Sequence, residues 1–297
     1  MRIDPTTSQV VLSALSTADA AEERALQQLT TGKRVNVASD DPAAASIEVQ
    51  LAAQSSRYDQ YLRSISSITG ELQTIDSALN SGITLLQRAL SLGVEGANGT
   101  MSPTDRTALA NEIQGISQNI LSLGNLTYNG KYVFGGTLDS QPPYVDDGSG
   151  NITYQGNDSV NQVEIADGQM ISINQPGTSL FSIPGASVFA ALHDLQSALE
   201  SGSTDDIGNA TSALRDAYNQ LTSARVFYGN TVNQLSSNQS YLTNAQLQLA
   251  QRQNDTVGAD LNQAVSDLVK AEQSRQYTTM AAARMSSLSL LDYLNNG

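Results

Sequence analysis

Apolar residues along much of the chain recur at steps of three and four, the spacing that lines up one face of an α-helix. The first such stripe spans 18 residues in five steps, or 3.6 residues per step, and half of its members are alanine: Val11, Leu15, Ala18, Ala21, Ala25 and Leu29. A helix with so thin an apolar face draws most of its stability from packing against a partner. The pattern therefore predicts a first helix that depends on another helix.

Three later stretches keep strict steps of three and four, which is typical of coiled-coil seams. The first comprises Tyr58, Tyr61, Ile65, Ile68, Leu72, Ile75 and Leu79, and the second comprises Leu109, Ile113, Ile116, Ile120 and Leu123. The longest comprises Ala210, Leu214, Ala217, Leu221, Ala224, Tyr228, Thr231, Leu235, Asn238, Leu242, Ala245 and Leu249. A last seam, Val257, Leu261, Ala264, Leu268 and Ala271, follows a slip in phase near Asn254–Gly258. We predict core positions for the seam tyrosines.

Two breaks interrupt the helical pattern in the first half of the chain. In the segment LTTGKRVNVASDDPAAA, two acids run into Pro42, and the residue before a proline is pushed out of the α region. Asp40 and Asp41 are therefore predicted to be turn and cap residues rather than a metal or catalytic pair. The second break is a predicted loop at 93–101, which ends at a helix start of N-cap Ser102, Pro103 and Asp105.

The periodicity changes between Asn129 and Pro184, where Gly, Asn, Asp, Ser and Pro surround short runs such as KYVF, NITY, VEI and MISI. The pair Asp167-Gly168 between alternating segments predicts a tight hairpin. No Lys or Arg occurs between Lys131 and Arg215, whereas ten acids do. We predict an inserted, acidic, surface-exposed β domain, followed by one short helix at Val188–Leu199.

These patterns together predict a mainly α fold: a long antiparallel coiled-coil helix bundle built from both chain ends, with a small inserted β domain. The expected division has three nested parts. Terminal helices occupy 1–42 and 255–297, a coiled-coil stem occupies 43–128 and 205–254, and the β insertion with its return helix occupies 129–204.

The composition of the chain excludes several classes of function. The net charge of −14 argues against binding to nucleic acid or an anionic membrane, because phosphate contacts need Lys and Arg. The absence of cysteine excludes disulfides and thiol catalysis, and no stretch approaches the roughly 18 apolar residues of a membrane span. The start of the chain lacks a signal-peptide hydrophobic region, so we expect any export to proceed without cleavage of one.

Two patterns invite a more specific chemistry. Asp147, Ser149, Asn151, Thr153 and Asp158 fall at calcium-loop positions 1, 3, 5, 7 and 12, but position 6 is Ile152 instead of glycine. A hairpin turn in Asp146–Asp158 is therefore favoured over a weak cation site. His193 is the only histidine, and no nucleophile or metal motif accompanies it. We expect no enzymatic activity, no cofactor and no metal.

The segment LTTGKRVNVASDDPAAA resembles the N-terminal signature of bacterial flagellins and their relatives, and the run ADLNQAVSDLVKAEQSRQYTTMAAARMSSLSLLDYL resembles the paired terminal helix. YNGKYVFGGT, residues 128–137, is similar to the motif at which hook-associated members of that family leave the coiled coil. The resemblance covers about the first 137 residues and those from roughly 205 onward. Departures are chiefly the acids Asp4, Asp19, Glu22 and Glu23.

The resemblance implies a structural subunit that polymerises as a ring between hook and filament and is exported unfolded through the flagellar type III apparatus. The implied partners are other copies of the chain, hook-associated protein 1 on the hook side, flagellin on the filament side and an export chaperone. Assembly residues on this interpretation are Gly32, Arg34, Asn36, Asp40, Asp41, Pro42, Leu268, Leu288, Leu291 and Leu294. The family motif contributes Tyr128, Gly130, Phe134, Gly135 and Gly136. The alternatives are a filament-forming flagellin and a signalling coiled coil.

Overall fold

The computed structural model describes residues 5–148, 150–182 and 187–295, with side chains described from residue 9 to residue 284 within those ranges. Six α-helices dominate: α1 (Pro5–Thr31), α2 (Pro42–Gly96), α3 (Pro103–Gly124), α4 (Val188–Ser201), α5 (Thr204–Val257) and α6 (Leu261–Asn295). The mainly α fold predicted from the apolar periodicity is confirmed.

Three two-stranded antiparallel sheets lie between α3 and α4. They pair β1 (Thr127–Tyr128) with β2 (Lys131–Tyr132), β3 (Tyr144–Asp146) with β4 (Ile152–Tyr154), and β5 (Gln162–Ala166) with β6 (Gln169–Ser172). Asp167 and Gly168 form the β5–β6 turn, and Gly168 has a φ of +73°, which is unstrained only for glycine. The predicted hairpins therefore form, including the one at Asp146–Asp158.

The chain divides into two compact units, residues 58–243 and residues 1–57 with 244–297. The three-part division expected from the sequence describes layers of an assembled protein, and it stays a prediction.

In the 58–243 unit, the longest seam forms the spine of the core. Ten of its positions, from Ala210 to Leu242 on α5, are buried, as are Ile65, Leu72 and Leu79 on α2 and Ile113 and Ile120 on α3. At about 25 cal/mol per Å² of buried apolar surface, such continuous burial is the main stabilising contribution. The α3 start forms as predicted, because the Asp105 N–H donates to the Ser102 hydroxyl at 3.2 Å.

The predicted loop at 93–101 is wrong at its start, since α2 continues to Gly96. Gly93 and Gly96 are packing positions: a β-carbon on Gly93 would lie 2.5 Å from the Thr211 hydroxyl, and one on Gly96 would overlap the buried Leu199 side chain. Glycine here lets α4 and α5 approach the backbone of α2 closely.

The β segment is less exposed than its acidic composition suggests. Phe134, Tyr144, Ile165, Ile171 and Phe181 are buried in the same apolar cluster as the seam residues of α2, α3 and α5. The turns and acids face solvent, while the aromatic side chains complete the helical core. The segment is therefore integral to the 58–243 unit.

Polar residues of the longest seam have defined roles in this arrangement. The Asn238 side-chain amide donates to the Gln169 side-chain oxygen on β6 at 3.1 Å, and the buried Tyr228 hydroxyl accepts from the Gln175 N–H at 3.1 Å. Tyr61 on α2 donates towards Asp167 at 3.0 Å and Glu164 at 3.3 Å. These bonds fix the β5–β6 hairpin against α2 and α5.

In the other unit, α1 packs along α6 through small residues. Ala18 and Ala25 on α1 and Ala264 and Ala271 on α6 are buried, and the other members of the first stripe are half-buried. Glu22, one of the acids that depart from the family pattern, accepts two bonds from Arg275, at 2.8 Å and 3.0 Å. The thin apolar face predicted for the first helix is therefore confirmed, with α6 as its partner.

Candidate assembly site

The turn between α1 and α2 is closed by the end of α5. Gly32 follows the last residue of α1 with a φ of +67°, the left-handed conformation that commonly ends a helix. Lys33 and Gly258 form an isolated antiparallel bridge, in which the Arg34 N–H donates to the Val257 carbonyl at 2.6 Å and the Ala259 N–H donates to the Gly32 carbonyl at 2.9 Å. The break near the start of the chain and the phase slip near its end thus meet.

Arg34 ties this turn together through its side chain. Its guanidinium donates to the Asp41 carboxylate and to the Thr256 carbonyl, at 3.1 Å in each case. Both side chains of the Arg34–Asp41 ion pair are partly exposed, so the pair itself contributes little to stability. Its role is geometric, because one planar group connects the start of α2 with the end of α5.

Asp40 and Asp41 are satisfied by the backbone, as predicted for turn and cap residues. The Asp40 carboxylate accepts from the N–H groups of Asn36 and Val37, at 3.0 Å and 3.1 Å, and these bonds lower its pKa. Asp41 accepts from the Ala44 N–H at 3.0 Å, which makes it the N-cap of α2 with Pro42 at the first helical position. That bond and the bond from Arg34 lower the pKa of Asp41.

Asn36 completes the chain reversal. Its side-chain amide donates to the Lys33 carbonyl at 2.9 Å, and its side-chain oxygen accepts from the Thr31 hydroxyl at 2.7 Å. From the sequence alone, two roles are possible for Gly32, Arg34 and Asn36: a chain reversal or a polar contact between subunits. The bonds within the chain support the reversal, and the contact between subunits stays a prediction.

Large apolar side chains remain exposed on the terminal helices. Those on α1 are Val10, Leu12 and Leu26, and those on α6 are Leu261, Val265, Val269, Tyr277 and Met280, all between 45% and 69% exposed. Leu261, predicted as a seam residue, is 52% exposed at the first position of α6. The predicted assembly residue Leu268 is half-buried. The side chains of Leu288, Leu291 and Leu294 lie outside the described residues.

The motif YNGKYVFGGT turns the chain from α3 into the β segment. Asn129 and Gly130 both have positive φ angles, 50° and 79°, as a two-residue hairpin turn of the Asn-Gly type requires. Tyr128 is half-buried against α2, where its hydroxyl would lie 2.9 Å from a β-carbon on Gly70. The first half of the motif is therefore a hairpin whose tyrosine contacts α2.

The second half of the motif anchors the β segment in the core. Phe134 is fully buried, and its ring meets that of Phe181 edge to face, with centroids 5.5 Å apart. Gly135 and Gly136 follow in a turn where β-carbons would collide with the backbone carbonyls of Leu138 and Asn157. Only glycine allows these backbone segments to approach so closely.

Two tyrosines that sequence reasoning missed hold this anchor. The Tyr144 hydroxyl donates to the Gly177 carbonyl at 2.7 Å, and burial raises the pKa of Tyr144. The Tyr154 hydroxyl lies 3.0 Å from the carbonyls of both Phe134 and Asn157. The signal was an aromatic residue on each strand of one hairpin, Tyr144 opposite Tyr154, which favours a cross-strand pair.

The remaining candidates from the sequence are the cation loop at Asp146–Asp158 and His193. Asp158 accepts from the Thr178 hydroxyl, and Asp146 pairs with Ile152 in the β3–β4 ladder. Within the described ranges, no group of three or more His, Asp or Glu side chains has the geometry of a metal site. Ser149 lies outside those ranges. His193 is half-buried beside Gly150, in a cleft between α3, α4 and the β3–β4 turn. No helix of the described residues combines the length and apolarity that a membrane crossing needs.

Residues 6–139 match the model of the bacterial flagellin N-terminal helical region. The chain is 28% identical to "Flagellar hook-associated protein 3" of Escherichia coli over 288 residues, covering 89% of this chain and 90% of that protein. It is 29% identical to "Flagellin A" of Vibrio cholerae, covering 54% of this chain and 42% of the flagellin. Among solved structures, flagellar hook associated protein-3 of Legionella pneumophila superposes with a TM-score of 0.64 at 12% identity, covering 69% of this chain and 98% of that one, and shares its fold.

Proposed function

Because residues 6–139 match the bacterial flagellin N-terminal helical region, we propose that the chain is a structural subunit of the bacterial flagellum, an adaptor at the hook-filament junction. The observation that carries this proposal is the extent of the likeness to hook-associated protein 3. It runs over 90% of that protein, whereas the likeness to a flagellin covers only 42% of the flagellin. A filament-forming flagellin is therefore the less supported alternative.

In the proposed mechanism, the protein polymerises through its terminal helices. The exposed apolar side chains of α1 and α6 support contacts with other copies, because burying such residues is the main driving force for association. The turn closed by Arg34, Asp40 and Asp41 keeps the start of α2 next to the end of α5, which holds the two chain ends in register. Gly32, Asn36 and Pro42 shape this turn, and Leu268, Leu288, Leu291 and Leu294 extend the assembly face of α6.

The proposed partners follow from that location. They are further copies of the chain in a ring, hook-associated protein 1 on the hook side, flagellin on the filament side and an export chaperone before assembly. The proposed route is flagellar type III export without cleavage of a signal peptide, to a final position outside the cell. The role is structural rather than enzymatic, with no cofactor, no nucleic acid and no membrane partner.

The signalling coiled coil is the second alternative, since heptad helices rich in Ala, Ser and Gln also occur in such proteins. The burial of Phe134 and Tyr144 in the helical core argues against this alternative. A signalling coiled coil would be a continuous helical rod, whereas here the β segment forms part of the core between the helices.

Immunogold electron microscopy of intact flagella tests the proposal, with antibody raised against residues 139–187. We expect label in one band at the base of the filament. Label along the whole filament would make the protein a flagellin, and reproducible absence of label from accessible flagella would contradict a flagellar role. A strain lacking the protein is the control for antibody specificity.

A further inference from the structure

The 58–243 unit contains a polar cleft of about 360 Å³ where the YNGKYVFGGT segment meets α2. This volume lies at the lower end of the range of about 300–1,000 Å³ found for small-molecule sites. The side chains that give the cleft its charge and shape are Glu71, Tyr128, Lys131, Tyr132, Asp139 and Asn174. The proposed junction role makes no use of this cleft.

Glu71 is the notable member of the cleft. It is half-buried on α2, and no hydrogen bond or ion pair to it is found among the described residues. Burial raises the pKa of its carboxyl group. A carboxylate withdrawn from water without a partner is costly, so a group that compensated its charge would be bound favourably.

The nearby Lys131 ammonium group compensates the Glu71 charge only in part, because it lowers the pKa of Glu71 less than burial raises it. Lys131 donates to Asp139 at 2.6 Å, and its side chain is 71% exposed, so water screens its charge. The Lys131–Asp139 pair is neutral as a whole, so Glu71 gives these three groups of the cleft a net charge of one negative unit. The cleft therefore favours a ligand with a single positive charge.

We propose that this cleft binds the head group of an organic monocation, an alkylammonium or alkylguanidinium group. Such a group donates charge-assisted hydrogen bonds to the Glu71 carboxylate, and the rings of Tyr128 and Tyr132 in the cleft wall offer cation–π contacts. A hard metal ion is disfavoured, because such ions favour carboxylate ligands and, of the two carboxylates that line the cleft, Asp139 is already paired with Lys131.

The test is a titration of the full-length chain with ethylguanidinium chloride at constant ionic strength, followed by the amide NMR shifts of residues around the cleft. We expect saturable shifts in the unmodified chain. In Glu71→Gln, which removes the charge at nearly constant shape, binding should be weaker by about tenfold or more. Lys131→Gln should instead strengthen binding, because it exposes the second carboxylate, Asp139, to the ligand.

Glu95→Gln is the matched control, since Glu95 is an exposed carboxylate on the same helix and outside the cleft. It should bind ethylguanidinium like the unmodified chain. Equal weakening in Glu71→Gln and Glu95→Gln, or shifts that never saturate, would overturn the proposal. The immunogold result is independent of this titration, so the failure of one leaves the other intact.

Sedimentation velocity at increasing protein concentration distinguishes two sources of the cation. If a Lys or Arg side chain of another copy occupies the cleft, association should increase with concentration, decrease with added ethylguanidinium and be absent in Glu71→Gln. If the ligand is a free cation, the sedimentation coefficient should be the same in the unmodified chain and in Glu71→Gln. Either result, together with saturable binding, supports the assigned cleft.

Discussion

Asp41 shows at the scale of one residue how the break in the sequence becomes a helix start. Its carboxylate caps α2 through the Ala44 N–H and also accepts from Arg34. Since an N-cap replaced by alanine typically costs about 0.5–2 kcal/mol, we expect Asp41→Ala to lower the free energy of unfolding by about 1 kcal/mol. Urea denaturation followed by circular dichroism measures this change.

Asp41→Asn separates the two roles of this side chain, because asparagine also caps helices but carries no charge. We expect a loss of less than about 0.5 kcal/mol, since the ion pair with Arg34 is partly exposed. A loss as large as that of Asp41→Ala would mean that the pair with Arg34, not the cap, stabilises the turn.

The raised pKa of Tyr61 predicts that the stability of the protein decreases at alkaline pH. Burial, followed by the hydrogen bond to Asp167, raises the pKa of its phenol to about 12. Because the pKa in the folded state lies above the ordinary value of about 10, the stabilisation is fully present below about pH 10 and is lost as pH rises through the folded pKa. In Tyr61→Phe, the decrease in the free energy of unfolding that comes from ionisation of this phenol should be absent.

The measurement is the urea midpoint at about pH 8 and about pH 11, on either side of the ordinary tyrosine pKa. The difference between the two midpoints should be smaller in Tyr61→Phe than in the unmodified chain. Tyr241→Phe, at a tyrosine of α5 that is 62% exposed, is the control and should leave the difference unchanged. Identical differences in all three proteins would refute the role of Tyr61.

At the scale of elements, the packing of α2 against α4 depends on Gly96. A β-carbon there would overlap the side chain of Leu199, which is fully buried. We expect Gly96→Ala to destabilise the protein by about 1–3 kcal/mol, the usual cost of overpacking. Thermal and urea denaturation measure the effect.

Gly115→Ala on α3 is the matched control. A β-carbon at this position would have open space within 4 Å, so alanine should add only helix propensity and stabilise by up to about 1 kcal/mol. Opposite signs for the two variants would identify close packing as the reason for glycine at position 96. A neutral or stabilising Gly96→Ala would show that Leu199 can move away.

At the scale of the whole molecule, the two compact units differ in the size of their buried side chains. The 58–243 unit buries Leu, Ile, Phe and Tyr side chains, whereas α1 and α6 bury mainly alanine. Small buried side chains contribute less apolar area, so local opening costs less free energy. We expect the amides of α1 and α6 to exchange with solvent faster in dilute monomer than those of α3 and of α5 up to Leu242.

Hydrogen exchange with mass spectrometry tests this expectation, with two variants to separate the units. Ala25→Gly should accelerate exchange in α1 and α6 alone, and Leu221→Ala should accelerate it mainly within 58–243. Strong protection of α1 and α6 in dilute monomer would contradict the proposed mechanism, in which contacts with other copies supply the missing burial.

The sequence by itself determined the helices, their buried faces and the turns, because these follow from local rules. A step of 3.6 residues sets which side chains share a helix face, Asp41-Pro42 favours a helix start, and Asp167-Gly168 favours a tight turn. Eleven of the twelve positions of the longest seam are buried and the twelfth, Ala245, is half-buried.

The tertiary structure decided what depends on residues far apart in the chain. These two positions of α2 are glycine, Gly93 and Gly96, because Thr211 and Leu199 occupy the space that larger side chains would need. The β segment joins the helical core because Phe134, Tyr144 and Phe181 meet there. Lys131 forms its ion pair with Asp139 rather than with Glu71, although both carboxylates line the same cleft. Local pattern cannot reveal such contacts, since they arise only when the packed elements bring distant side chains together.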